Sequence, residues 1–209
     1  MLGYYNPSVI LTYLSLFSAV LGISFAMGEG GTFPAVLCLL VSGVCDMFDG
    51  AVAGRCKRNE EEKLFGIQID SLCDLVAFGA LPAVVTLDLA GGSLLSKIAA
   101  GLLLLTSVIR LGYFNVQELV RDRDEKRTHY TGMPVTMCAI FYPLLLVIGS
   151  FVPAVSAGVW ASGSMILLAV LEVLRFPLKK PHGKAKLVVL VLGIAVLALV
   201  LVFRGRLGA

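Results

Sequence analysis

Apolar runs of about 20 residues recur along the whole chain, each long enough to cross a hydrocarbon layer at 1.5 Å of rise per helical residue. The pattern predicts seven spans: Ser8–Met27, Phe33–Ala53, Phe65–Leu89, Leu94–Val116, Met133–Phe151, Ala154–Phe176 and Leu187–Phe203. The last two are the least clearly separated, so six to eight crossings are expected. The segment Gln117–Tyr130 is the longest polar connection, and Pro177, Pro181 and Gly183 break the chain before the last run. No internal repeat or low-complexity tract interrupts the pattern. The first run lacks a basic lead-in and a small-residue cleavage site, so it is expected to be retained as a span. The expected fold is all-α: one polytopic membrane helical bundle over residues 1–209.

Composition agrees with this picture. Of the 209 residues, 58% are hydrophobic and only 15% charged, more apolar than soluble domains are. No soluble domain fits in the remainder, and nucleic acid is not an expected partner. The five cysteines, Cys38, Cys45, Cys56, Cys73 and Cys138, form no CxxC pair; most read as small buried hydrophobes. The net charge of +3 matters only once it is mapped. Arg55, Lys57, Arg58 and Lys63 follow the second run, Arg121, Arg123, Lys126 and Arg127 follow the fourth, and Arg175, Lys179, Lys180, Lys184 and Lys186 surround the end of the sixth. The opposite connections, Gly28–Thr32, Asp88–Ser93 and Val152–Pro153, carry no Lys or Arg. The positive-inside rule then places the N-terminus and every basic connection in the cytoplasm of a multi-pass cell-membrane protein.

Four aspartates stand out against this background. Asp46 and Asp49 lie in the last turns of the second run, and Asp70 and Asp74 in the first turns of the third. A carboxylate at a bilayer centre costs roughly 2.5–3.5 kcal/mol, so four of them need compensating charge. Spacings of three and four put each pair on one helix face. Two such faces brought together make an all-oxygen cage for hard divalent cations such as Mg²⁺. An ion-translocating cluster is the competing reading, and a divalent-cation transporter its concrete form. The remaining acids, Asp88 and Glu172, read as isolated and near span ends. Acids gathered at one end point to chemistry at a membrane surface rather than passage through it.

The stretch Asp46-Met-Phe-Asp49-Gly50-Ala-Val-Ala53, followed by Gly66-Ile-Gln-Ile-Asp70-Ser-Leu-Cys-Asp74, resembles the signature of the CDP-alcohol phosphotransferases. That signature reads D-x-x-D-G-x-x-A-R, a spacer, then G-x-x-x-D-x-x-x-D. One position departs: Gly54 stands where the arginine is expected, and Arg55 comes one place later, with Lys57 and Arg58 beyond it. Asp70-Ser-Leu-Cys-Asp74 before Phe78-Gly79, Arg110-Leu-Gly-Tyr113-Phe114-Asn115, and Tyr130-Thr-Gly132-Met133-Pro134-Val-Thr136 are similar to the bacterial membrane-embedded phosphatidylserine synthases of that family.

The resemblance implies transfer of a phosphatidyl group from CDP-diacylglycerol to L-serine, among membrane lipids, in a homodimer. A sibling transferase using glycerol-3-phosphate or inositol phosphate is the nearest alternative. It further implies two divalent cations, Mg²⁺ or Mn²⁺, held by Asp46, Asp49, Asp70 and Asp74, with Asp74 also the general base. Thr12, Gly50, Ala53, Arg55 and Gly66 are then the candidate nucleotide contacts. Arg110, an arginine within an apolar run, is the candidate partner for the acceptor carboxylate, with Asn115 and Gly132 beside it; His129 is a weaker candidate.

Overall fold

The computed structural model describes residues 3–28, 30–120, 129–179 and 184–207. Among these are eight α-helices: α1 (Ile10–Met27), α2 (Thr32–Ala53), α3 (Glu60–Asp74), α4 (Leu81–Leu89), α5 (Leu94–Val120), α6 (Cys138–Gly149), α7 (Ala157–Val173) and α8 (Lys184–Val202). A π-helical segment, Leu75–Ala80, joins α3 to α4, making one 30-residue rod from Glu60 to Leu89. The π turn has a local cause. Pro82 has no N–H to give to the residue four before it, and its ring crowds that carbonyl. The Leu81 N–H reaches instead to the carbonyl of Val76, five residues back.

Among the described residues, four helical stretches are long and apolar enough to cross a membrane: Pro7–Met27, Thr32–Ala53, Glu60–Leu89 and Leu94–Val120. The other three apolar runs make shorter helices, Val135–Gly149, Ala157–Val173 and Leu187–Val202. Their shortening relative to the predicted spans follows from local chemistry. Pro134 is extended, so the fifth run enters its helix through a 3-10 turn at Val135–Met137. The sixth starts only at the Ser156 cap and ends where Leu174 turns extended. The third, conversely, starts five residues earlier than predicted. Asn59 and Glu62 form a capping box there, each side chain taking the other's backbone N–H at 2.7 and 2.8 Å. One small sheet adds to the all-α expectation: β1 (His129–Thr131) pairs antiparallel with β2 (Pro177–Lys179), tying the connection before α6 to the one after α7.

Small residues let the first two helices approach closely. Ser15, Ser18, Ala19, Gly22 and Ala26 form the buried face of α1, a small-residue seam of the kind that brings membrane helices together. A Cβ at Gly22 would sit 2.8 Å from the Cβ of Cys38. Ser42 and Ser15 bond each other's carbonyls, at 2.9 and 3.4 Å, and the Ser18 hydroxyl donates to the Cys38 carbonyl at 2.9 Å. The core continues through Phe78, Leu81, Leu103, Tyr142, Met165 and Leu168, where the Thr86 and Tyr142 hydroxyls share a buried bond of 2.6 Å between α4 and α6.

The N-terminus is fastened over the α2–α3 connection. The Tyr4 hydroxyl donates to Glu61 at 2.6 Å, and the Asn6 amide donates to the Lys57 carbonyl at 3.1 Å and to Glu62 at 3.2 Å. These bonds hold the turn that sets the end of α2 against the start of α3. At the opposite end of the bundle, residues from the connections around Gly31, Asp88 and Pro153 meet Arg206, from the turn after α8, around a cavity of about 540 Å³ also lined by Thr32, Ser150 and Trp160.

Candidate active site

The aspartates reach one another because α2 runs toward the end of the bundle from which α3 returns. Asp46 and Asp49 sit one turn apart near the end of α2, and Asp70 faces them from α3. Their three carboxylates each offer an oxygen within 4.8 Å of the others. Asp49 and Asp70 meet within hydrogen-bonding distance. Among the described residues, the groups that bond to them are neutral: the Thr12 hydroxyl donates to Asp49 at 3.4 Å, the Gly50 N–H donates to the same carboxylate, and the Thr136 hydroxyl donates to Asp46. Two carboxylates about 4 Å apart repel by about 4 kcal/mol even at an effective dielectric of 20. Hydroxyls and an amide do not cancel that. An all-oxygen set of three carboxyl groups fits a hard divalent cation.

Asp74 lies one turn deeper along α3 and outside that group of three. It is buried, 6% exposed, and interacts electrostatically with Asp46, Asp70 and Asp49. The four acids therefore divide by position into a half-exposed triad and one enclosed carboxylate behind it.

The other predicted residues fall into three places. Gly50 faces open space, with no atom within 4 Å of where a Cβ would lie; Ala53 is half-buried on the same helix. Gly54 keeps right-handed helical angles, so the backbone makes no loop to return Arg55 to the signature position. A one-residue offset turns Arg55 about 100° around the axis, and its side chain is exposed. Arg58 is half-buried and comes back toward the site instead: its Nη1 would lie 3.6 Å from a Cβ at Gly66. On α5, Asn115 is tied to the acidic helix. The Ser71 hydroxyl donates to its Oδ1 at 2.8 Å, and its amide donates to Gln68 at 3.4 Å.

Arg110 is no exposed, snorkelling cation. It is 6% exposed, its Nε donates to the Met133 carbonyl at 3.1 Å, and it interacts electrostatically with Glu172. Gly132 is pinned beside it, its N–H on the Phe176 carbonyl at 2.8 Å and its φ at +78°. The expectation that Glu172 is isolated is overturned. It is 1% exposed and receives bonds from Thr106 at 2.9 Å and Ser107 at 3.0 Å. The other acid read as isolated, Asp88, is exposed and borders the cavity at the far end. The side chain of His129, and all of Arg121, Arg123, Lys126 and Arg127, lie outside the described residues.

Sequence reasoning assigned no role to Thr136, Ser71 or Glu172. The available signal was the presence of hydroxyls and an acid in otherwise apolar helical sequence, which does not say what they face.

The chain is 29% identical over 191 residues to a CDP-diacylglycerol–serine O-phosphatidyltransferase of Helicobacter pylori, covering 88% of this chain and 77% of the relative. It is 26% identical over 164 residues to an archaetidylserine synthase of Methanothermobacter thermautotrophicus, covering 78% and 67%. A CDP-diacylglycerol–serine O-phosphatidyltransferase of Mycobacterium leprae is 29% identical over 182 residues, covering 82% and 57%. No solved structure matches the chain. Residues 5–207, nearly the whole bundle with its aspartate cluster, match the CDP-alcohol phosphatidyltransferases, and the chain is a multi-pass membrane enzyme of that family.

Proposed function

We propose that the protein transfers a phosphatidyl group from CDP-diacylglycerol to the hydroxyl of L-serine, giving phosphatidylserine and CMP. The observation that carries the transfer is the convergence of Asp46, Asp49 and Asp70 from two antiparallel helices. The acceptor follows from relatives named for serine.

Each side chain then has a task. Thr12 and Thr136 orient the Asp49 and Asp46 carboxylates through their hydroxyls. Asp46, Asp49 and Asp70, with Asp74 behind them, would hold two divalent cations, Mg²⁺ or Mn²⁺, and these would supply neutralisation of the pyrophosphate and of the departing CMP. The open face at Gly50 and Ala53 gives the nucleotide room against α2, with Gly66, Arg55 and Arg58 on the opposite side. Arg110 receives the serine carboxylate in a charge-assisted pair, with Asn115 and Gly132 shaping the same side. Asp74 accepts the serine hydroxyl proton. The serine oxygen forms its bond to the β-phosphorus as the bond to the bridging oxygen breaks, and CMP leaves with that oxygen and its electron pair. The acidic end faces the cytoplasm by the distribution of basic connections, and the working unit is a homodimer.

The test is an acceptor screen on purified protein with CDP-diacylglycerol and Mg²⁺ or Mn²⁺, offering serine, glycerol-3-phosphate, inositol and inositol phosphate. Serine-dependent CMP release is expected. CMP release driven by a different acceptor and not by serine refutes the acceptor assignment.

A further inference from the structure

A carboxyl side chain buried inside an apolar helix is retained at a cost. Glu172 is such a residue: α7 is otherwise apolar and small, Ala157–Val173 carrying Glu172 as its one charge. Replacing a buried ionic group with an apolar one of similar size is often neutral or stabilising. Stability alone therefore does not account for a carboxylate there, and its surroundings suggest what does.

Glu172 lies at one end of a series of neighbours on α5, α7 and the start of α6 that leads toward the aspartates. Thr106 and Ser107, on adjacent positions of α5, both donate to its carboxylate. One turn further along α5, Arg110 interacts with it electrostatically and donates Nε to the Met133 carbonyl. The Met133 N–H returns to the α7 carbonyl of Leu171 at 3.3 Å. Three residues beyond Met133, Thr136 donates to Asp46. The end of α7 thus stands against both: the Glu172 carboxyl on the Arg110 side, and the Leu171 carbonyl holding the segment that enters α6. Ordering a long, rotamer-rich cation before binding removes an entropic cost that the ligand otherwise meets.

We infer that Glu172 is a positioning residue for the acceptor half of the site: anchored by Thr106 and Ser107, it sets the Arg110 guanidinium against the Met133 carbonyl, ready for the carboxylate of the incoming amino acid. The inference rests on the proposed role of Arg110 as the acceptor's partner. Glu172 touches neither substrate and acts through Arg110.

The discriminating variant is Glu172→Gln, which keeps the shape and an acceptor oxygen but cannot carry a negative charge. It is expected to raise half-saturation by serine about tenfold, the scale of one weakened charge-assisted bond, while half-saturation by CDP-diacylglycerol stays within about twofold. Glu172→Asp is expected to recover part of the loss. Combining Glu172→Gln with Arg110→Lys should add less than about twofold to the serine effect of Arg110→Lys alone, because the two act through one contact. An unchanged serine half-saturation in Glu172→Gln overturns the inference, as do equal losses for both substrates or full additivity with Arg110→Lys. Failure of the serine reading is seen separately, in the unmodified protein, as CMP release that serine does not drive. The same comparison is then made with the acceptor that does, and an unaltered half-saturation for it overturns the inference equally.

Discussion

Gly132→Ala tests the link between backbone geometry and catalysis. Gly132 has φ +78°, a left-handed conformation that costs a residue with a Cβ roughly 1–2 kcal/mol. The added Cβ would also lie 2.7 Å from the Leu174 carbonyl oxygen and 3.2 Å from that of Glu172, where ordinary contact begins at 3.4 Å. Both neighbours are backbone and cannot swing aside as a side-chain tip can. Relief requires the segment from Gly132 to Thr136 to move. That displaces the Met133 carbonyl from Arg110 and the Thr136 hydroxyl from Asp46. A strain of about 2 kcal/mol corresponds to a drop in Tm of about 4–8 °C for a chain of this size. Two disturbed bonds at about 1 kcal/mol each lower kcat/KM by roughly tenfold to thirtyfold. The assay is CMP release at varied serine, paired with thermal unfolding in the same detergent. A variant with undiminished kcat/KM and a Tm within about 1 °C of the parent would refute the reasoning. Gly50→Ala is the internal control, because nothing lies within 4 Å of its added Cβ. Its Tm is expected to hold while CDP-diacylglycerol binding weakens.

Three further outcomes are expected. Chelating divalent ions should abolish CMP release and readdition of Mg²⁺ or Mn²⁺ should restore it, with Asp49→Asn and Asp70→Asn insensitive to the readdition; full turnover in chelator removes the cation role of the triad. Asp74→Asn should lose turnover by roughly a hundredfold or more, the scale of a missing general base, while CMP binding persists; an active Asp74→Asn enzyme dismisses the base assignment. Arg58→Ala should raise half-saturation by CDP-diacylglycerol more than Arg55→Ala does, since Arg58 turns toward Gly66 while Arg55 is exposed; the reverse order returns the phosphate contact to Arg55.

Much of the molecule was legible residue by residue, because local rules govern it. Hydrophobic run length located the long helices, and spacings of three and four put the aspartates on shared helix faces. The Asn59–Glu62 capping box was also readable, and its omission is why the third helix was started five residues late. What escaped were relations between residues far apart in the chain. Glu172 looked like an isolated acid near a helix end, yet it is enclosed by hydroxyls some 65 residues away. Arg110 stood out as an arginine within an apolar run, but nothing in the sequence said that its Nε would rest on the Met133 carbonyl. Thr136 gave no sign that it would reach Asp46, and the strand pair at Thr131 and Pro177 followed from no period in either segment. Periodicity fixes which way a side chain points from its own axis. Which neighbour waits there depends on how the helices cross, and that is set by the packing of the whole bundle.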